Sequence, residues 1–468
     1  MGRGRFPTCC NELQHYEPGP RLLAIRQQYR ELPPYKRKIR MSGELPLINV
    51  IHKWFAFSLA LASGALLTSA LADTEKPFHR AETIFPLRAE HNHGSCIVEL
   101  PNGDLLTCWY RGSGERKADD VAVLGARKRP GARGWSEPFV LADTPGFPDC
   151  NPCLIVDAKR RLQLFWPVII ANEWHTALLM SKVSERYSAS GAPVWSRERP
   201  ILLKPGSEFT RAVDASVTRD LARLSDFPAD RREAIRGYLE LRRKNGADRY
   251  FNRMGWMPRV HPLLLEGGRM LLPLYSDGFD FSLIAISDDG GETWHPSQPI
   301  VGEGPVQPSL VQRADGTLLA YMRDNGLPPQ RVQVSESRDR GETWSTPRDD
   351  AQLNPGAGLE VIRLRNGHWL LVNNDTEKGR HSLAVSLSED EGRTWRWVRH
   401  LLLDRTTVSP ATGSYPSAIQ AKDGTIHVTY TYTTRGGDEK KDAEGRALRE
   451  CIQYEEFNEA WVRAGDPR

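Results

Sequence analysis

Three octets constrain this chain more than anything else in it. Ser287-Asp288-Asp289-Gly290-Gly291-Glu292-Thr293-Trp294, Ser337-Arg338-Asp339-Arg340-Gly341-Glu342-Thr343-Trp344 and Ser388-Glu389-Asp390-Glu391-Gly392-Arg393-Thr394-Trp395 share the pattern Ser-x-Asp-x-Gly-x-Thr-Trp. Short Ser and Asp side chains accept hydrogen bonds from a turn's own N–H groups. Gly supplies a residue with φ > 0, and Thr-Trp opens the next strand with a large ring to bury. One such octet proves little. Three, spaced by 50 and 51 residues, mark a repeat architecture.

A second signal alternates with the first: a turn glycine followed by an apolar strand. It occurs at Asn102-Gly103-Asp104-Leu105-Leu106, Gly268-Arg269-Met270-Leu271-Leu272, Asp315-Gly316-Thr317-Leu318-Leu319, Asn366-Gly367-His368-Trp369-Leu370 and Asp423-Gly424-Thr425-Ile426-His427. A glycine-free copy sits at Lys159-Arg160-Arg161-Leu162, and weaker Trp turns at Trp135-Ser136 and Trp195-Ser196. A four-stranded blade with one hairpin of each kind, present six times, gives an all-β chain folded as a six-bladed β-propeller. Unrelated hairpins in a sandwich would not alternate two turn types in a fixed order.

Composition leaves room for this fold and argues against other classes. At 468 residues and 39% hydrophobic, the chain can hold one large domain. Its net charge of +4 is uneven: residues 1–72 carry a surplus of six positive charges, which leaves 73–468 at −2 and no footprint of a nucleic-acid binder. An apolar run from Trp54 follows His52-Lys53 and ends in Ala70-Leu71-Ala72, the build of a secretory signal peptide cleaved near Ala72. Met41 makes a more ordinary start for it than Met1. The expectation is an extension and leader over 1–72, a propeller over 73–468, and export to the periplasm or medium. An uncleaved anchor is the rival reading of the apolar run.

Inside the propeller the β pattern breaks off between Ser181 and Phe251. Pro228 to Lys244 reads as a helix capped by Ser225 or Asp226, with Ile235, Tyr238, Leu239 and Arg242 on one face. Residues 206–224 read as another. Together they form a helical insertion of about 206–247 on the rim, either a lid or surface decoration. Residues 435–450 read as a charged loop, and Cys451–Val462 as a strand that closes the ring against Thr83–Leu87. Cys150 and Cys153 make a lone CxxC with no second pair to complete a zinc site, so no metal and no cofactor is expected. Cys96 and Cys108, on either side of the Gly103 turn, are either buried thiols or, in an exported protein, one disulfide.

The octets look like Asp-boxes. With the Gly-turn strands, the chain resembles the sialidase (neuraminidase) superfamily, in its bacterial sialidase-like branch with BNR-type repeats, over roughly residues 85–432. The resemblance implies a Tyr nucleophile activated by a Glu, an Asp acid/base and three Arg that grip the substrate carboxylate. A phenol can approach an anomeric carbon that bears a carboxylate, where a carboxylate nucleophile would be repelled. On this sequence Tyr415, in Tyr415-Pro416-Ser417-Ala418, matches the nucleophile. Arg323 matches the second Arg, and Arg380 the third. His93 stands where the first Arg belongs, and Gln307, before Pro308, stands where the Glu belongs. An amide cannot act as a base, and a histidine titrating near neutrality is able to take that role. The acid is one of Glu115, Asp119 and Asp120, while Arg116, His91 and Asp120 join the substrate-binding candidates. Each has a plainer reading: Tyr415 as an aromatic packed between blades, the two Arg as partners of Asp324 and Asp375, His91 and His93 as a hydrogen-bonded pair, and 115–120 as a solvated loop.

The function expected from this set is an exported, sialidase-like glycoside hydrolase acting on a terminal, acidic sugar of a glycan. Two rivals stand beside it. One is a propeller lyase that cleaves an acidic polysaccharide by His/Tyr elimination. The other is a glycan-binding propeller without catalysis, which the loss of the Glu and the first Arg would suit.

Overall fold

Six antiparallel sheets follow one another along the chain, and each begins with the strand nearest the common axis. A computed structural model of the protein describes residues 76–467, residue 327 apart; the extension, leader and cleavage point read over 1–72 lie outside the described residues. The innermost strands are His91–Glu99, Cys153–Val156, Met257–Pro258 with Leu263–Leu264, Pro305–Gln312, Glu360–Arg363 and Thr412–Gln420. They head blades 1 to 6 of a β-propeller. Blades 1, 2, 4 and 5 are built from consecutive strands. Blade 6 is not. Its third strand, Glu450–Phe457, pairs with Ile426–Thr433 on one side and with His79–Thr83 on the other. The ring therefore closes through the beginning of the described chain, four residues earlier than Thr83–Leu87. The segment after Phe457 turns into a short helix, Glu459–Arg463, because Asn458 accepts from the N–H of Trp461 and caps it.

Both turn types behave as their residues dictate. In the three octets the Ser hydroxyl accepts from the Gly N–H four residues on, at 2.8, 2.9 and 2.9 Å. The Asp carboxylate takes the Thr N–H and hydroxyl in the same turns. In the glycine-free copy, Arg160 adopts φ +61, the conformation Gly103 takes at φ +86. Asp157 holds that turn by accepting from the N–H groups of Lys159 and Arg161. Both turn types lie at one end of the sheets, so the opposite end is left to the loops that join second to third strands and to the starts of the innermost strands.

At that opposite end the innermost strands share a feature. Gly94, Asn151, Gln307 and Tyr415 all have positive φ, at +67, +41, +55 and +54. The ladder slips beside three of them, between His93 and Cys96, Val306 and Ser309, and Ser414 and Ser417. These are β-bulges, which bend a strand and re-aim its side chains. A non-glycine residue held in the left-handed region is disfavoured by about 1–3 kcal/mol and persists where its surroundings demand it.

The helical insertion comprises Ser207–Ala222, Arg232–Ala247 and Arg249–Arg253, joining the outer strand of blade 2 to the inner strand of blade 3. The second helix starts at Arg232 rather than near Pro228, and neither Ser225 nor Asp226 caps it. Ser225 and Asp226 belong instead to a 3-10 turn, Leu224–Asp226, and a further turn, Ala229–Arg231, precedes the helix. Ile235, Leu239 and Arg242 are buried on the face read from the sequence. Tyr238 donates to Asp280 and Arg242 to the carbonyl of Gly302, which fastens the insertion to blade 3 and to the entry of blade 4. Cys96 and Cys108 sit opposite each other in the blade 1 ladder, both buried and with no disulfide between them. Among the described residues, no helix is long and apolar enough to cross a membrane, and no cluster of His, Cys, Asp and Glu is arranged to hold a metal ion.

Candidate active site

The bulges aim their side chains at one place. Tyr415, from blade 6, points its ring into a nest supplied by four other blades. Arg323, ending the second strand of blade 4, donates from Nη1 to the Tyr415 hydroxyl at 3.1 Å. Arg380, from blade 5, lies over the ring at 4.9 Å, and Arg259, from blade 3, at 4.7 Å. His93, from blade 1, meets the ring edge-on at 4.4 Å. Gly358 backs the phenol so closely that a Cβ there would come to 2.8 Å from Tyr415 Cδ1. Gln307 reaches the same centre, since that Cβ would lie 3.2 Å from its Oε1. Asn151 donates to the hydroxyl of Tyr275 at 3.2 Å, bringing a second phenol to the rim of the nest.

The electrostatics follow from this packing. Burial pushes the Tyr415 phenol up, but Arg323 and Arg380, with help from Gln307, outweigh it and pull the group down to about 8. Burial drives His93 well below the usual imidazole range, and the positive His91, Arg380 and Arg259 reinforce the shift. His93 is therefore neutral at physiological pH, and its Nδ1 has no hydrogen-bond partner. Arg259 is 1% exposed; it spends Nη1 on the carbonyl of Ser95 and leaves Nε and Nη2 unpaired. Buried donors without partners are rare, and here they surround the one phenol.

One step outward, His91 stacks on His93 at 5.0 Å, with Glu115 on one ring nitrogen at 3.2 Å and Glu450 on the other at 2.9 Å. Burial alone would lower His91, yet the two carboxylates raise it to about 9. Burial would likewise raise Glu115, but His91, His93 and the Tyr110 hydroxyl hold it down to about 2. Glu115 is thus a carboxylate at any ordinary pH.

The structure brings together Tyr415, His93, His91, Gln307, Arg323, Arg380 and Glu115 from the sequence-based set. It does not bring Asp119, Asp120 or Arg116 to them. Asp119 accepts from Asn172 at 2.8 Å, and Asp120 accepts from the Ser113 hydroxyl at 2.9 Å to close its own loop. Arg116 lies over Trp174 at 5.2 Å and faces Glu173. Asp119 and Asp120 are exposed on the loop after Gly112, whereas Arg116 is largely buried against Trp174.

Sequence reasoning missed Arg259, Glu450, Tyr110 and Asn151. One of these had a signal: Asn151-Pro152 repeats the residue-before-proline pattern of Gln307-Pro308 and Tyr415-Pro416. Arg259 had none, because the inner strand of blade 3 is interrupted between Pro258 and Leu263.

Comparison with known proteins agrees with this architecture. Residues 252–428 match a BNR repeat-like domain. A sialidase of Bacteroides fragilis (strain YCH46) is 28% identical over 130 residues, which span 26% of this chain and 23% of that protein. The aligned part is therefore well under half of the curated relative. A protein of unknown function from Dyadobacter fermentans superposes with a TM-score of 0.58 at 15% identity, covering 81% of this chain and 99% of that one. The NanB sialidase from Streptococcus pneumoniae superposes with a TM-score of 0.57 at 13% identity, over 81% of this chain and 71% of that one.

Proposed function

Starting from a chain that is a sialidase-like BNR-repeat propeller, we propose that it is an exported glycoside hydrolase that removes a terminal, acidic sugar from glycans. Tyr415 is its nucleophile. Three guanidiniums drawn from three blades around a single phenol carry this reading. Such a nest has two uses. Its unpaired Nη and Nε donors bind a carboxylate in forked hydrogen bonds, and its field stabilises the phenolate that attacks the anomeric carbon.

Gln307 fits this division of labour. An amide cannot take the phenol's proton, but the arginines already lower the group to about 8, so the phenolate forms by losing its proton to solvent on the alkaline side of neutrality, beside a neutral His93 at the ring edge. The acidic substrate is supported by charge. Arg259, Arg323 and Arg380 face the phenol, and Glu115, the carboxylate whose charge reaches it, is held by His91.

The test is product analysis of the full-length protein incubated with glycans that end in an acidic sugar. The expected product is the free sugar plus the shortened glycan, with water added across the broken bond. An unsaturated product absorbing in the ultraviolet would replace hydrolysis by elimination. Tight binding without any product would replace it by recognition alone.

A further inference from the structure

Hydrolysis at this site needs a group that hands a proton to the leaving oxygen, and the carboxylates that sequence reasoning put forward are unsuited to it. Asp119 and Asp120 are tied into loop hydrogen bonds away from the phenol. Glu115 is on the right side of the nest but is ionised, held by His91 and Tyr110. Its neighbour offers the opposite property.

We propose that His91 is the proton donor of this site and that Glu450 is the residue that positions it. Both ring nitrogens of His91 face a carboxylate, so both carry protons. Nδ1 is 2.9 Å from Glu450 and Nε2 is 3.2 Å from Glu115. Glu450 belongs to the third strand of blade 6, where its other tie is the N–H of Asn92 at 2.9 Å. The strand that closes the ring therefore fixes the ring of a blade 1 histidine. The remaining groups that face His91 are His93 on its own strand and Tyr110 on the next, at ring separations of 5.0 and 5.7 Å. His93 bears no charge, so nothing opposes the positive charge of His91 except desolvation. Of the two protonated nitrogens, Nε2 has the longer bond and the more exposed partner, since the Glu115 side chain is 38% exposed against 21% for Glu450.

The inference rests on the hydrolase reading, and its steps balance. His91 gives its Nε2 proton to the glycosidic oxygen as the anomeric carbon–oxygen bond breaks and the Tyr415 oxygen bonds to that carbon. The alcohol departs and His91 is left neutral. It then takes a proton from the water that attacks the anomeric carbon, and Tyr415 leaves as phenolate. No redox partner enters.

Two glycosides of the same acidic sugar test the assignment, one with an alkyl alcohol and one with a nitrophenol as leaving group. A nitrophenolate departs unaided, so His91→Gln is expected to lose about 10²–10⁴-fold on the alkyl glycoside and far less on the nitrophenyl one. Equal losses on both overturn the proposal while leaving the hydrolase reading in place. Glu450→Gln should move the alkaline limb of kcat/KM to lower pH, away from about 9; a limb that stays put also overturns it. A readout that needs no turnover is the nitrogen-15 shift of the His91 ring in the unmodified protein. A charged ring at pH 7 is expected, and a neutral one removes the donor. If the unmodified protein hydrolyses neither glycoside, the proposed function falls and this assignment with it.

Discussion

Tyr415→Phe is expected to abolish turnover, by about 10⁴-fold or more, while circular dichroism and melting temperature stay near those of the unmodified protein. The substitution removes one oxygen. That oxygen accepts from Arg323 at 3.1 Å, a single hydrogen bond from blade 4 to blade 6, and losing one such bond costs about 1 kcal/mol. The ring keeps its packing against Gly358, His93 and the two guanidiniums above it. A surviving rate would show that the phenol is packing and that the chemistry belongs elsewhere. The pH profile adds a second check. A phenolate nucleophile gives kcat/KM that rises toward a limit as pH passes about 8. With His91 protonated up to about 9, the profile should be a narrow bell on the alkaline side of neutrality.

The other large effect is on stability and comes from below the nest. Glu360, buried in the inner strand of blade 5, takes the ring of His261 at 2.7 Å from blade 3 and the N–H of Ala418 at 2.7 Å from blade 6. His261 in turn reaches the carbonyl of Ile97 in blade 1 at 2.6 Å. One ion pair thus ties four blades across the central channel. Glu360→Gln keeps the shape and removes the charge, leaving a buried imidazolium without its carboxylate partner. Such a change typically destabilises by about 3–5 kcal/mol, readable by chemical denaturation.

The deficit should also depend on pH. Burial lowers the His261 pKa, but Cys96 and Glu360 outweigh burial and raise it well above the ordinary value. A raised folded-state pKa contributes stability in full below the unfolded value, about 6.5, and loses it as pH rises through the folded one. The variant should therefore trail the unmodified protein more at pH 6 than at pH 9. A constant gap would mean that Glu360 acts through shape rather than charge.

The fold was legible because its signals are local. Ser, Asp, Gly and Thr close each octet turn with their own side chains, and the six Gly or Arg160 turns need only a residue that tolerates φ > 0. Ring closure was legible in kind and shifted in detail, since pairing Phe457 with His79 is a tertiary choice that no local pattern fixes. The site was legible where a residue sits beside such a pattern: Tyr415 and Gln307 before prolines, Arg323 at a strand end. Arg259 and Glu450 were not. One lies on an interrupted strand, and the other enters the site only because a blade 6 strand lays its side chain against the first strand of blade 1. The charge states of Glu115 and His91 were beyond sequence reasoning for a related reason. Each depends on the other, and His91 depends also on Glu450, more than 300 positions away.

All of this turns on one bond, from the Tyr415 oxygen to a sugar carbon. The most direct measurement is to treat the protein with an acidic glycosyl fluoride carrying a second fluorine beside the anomeric carbon, which slows breakdown of a covalent intermediate, and to map the added mass by peptide sequencing. A glycosyl group on Tyr415 is the expected result. A protein that turns over substrate yet carries the label on another residue, or on none, would contradict the account.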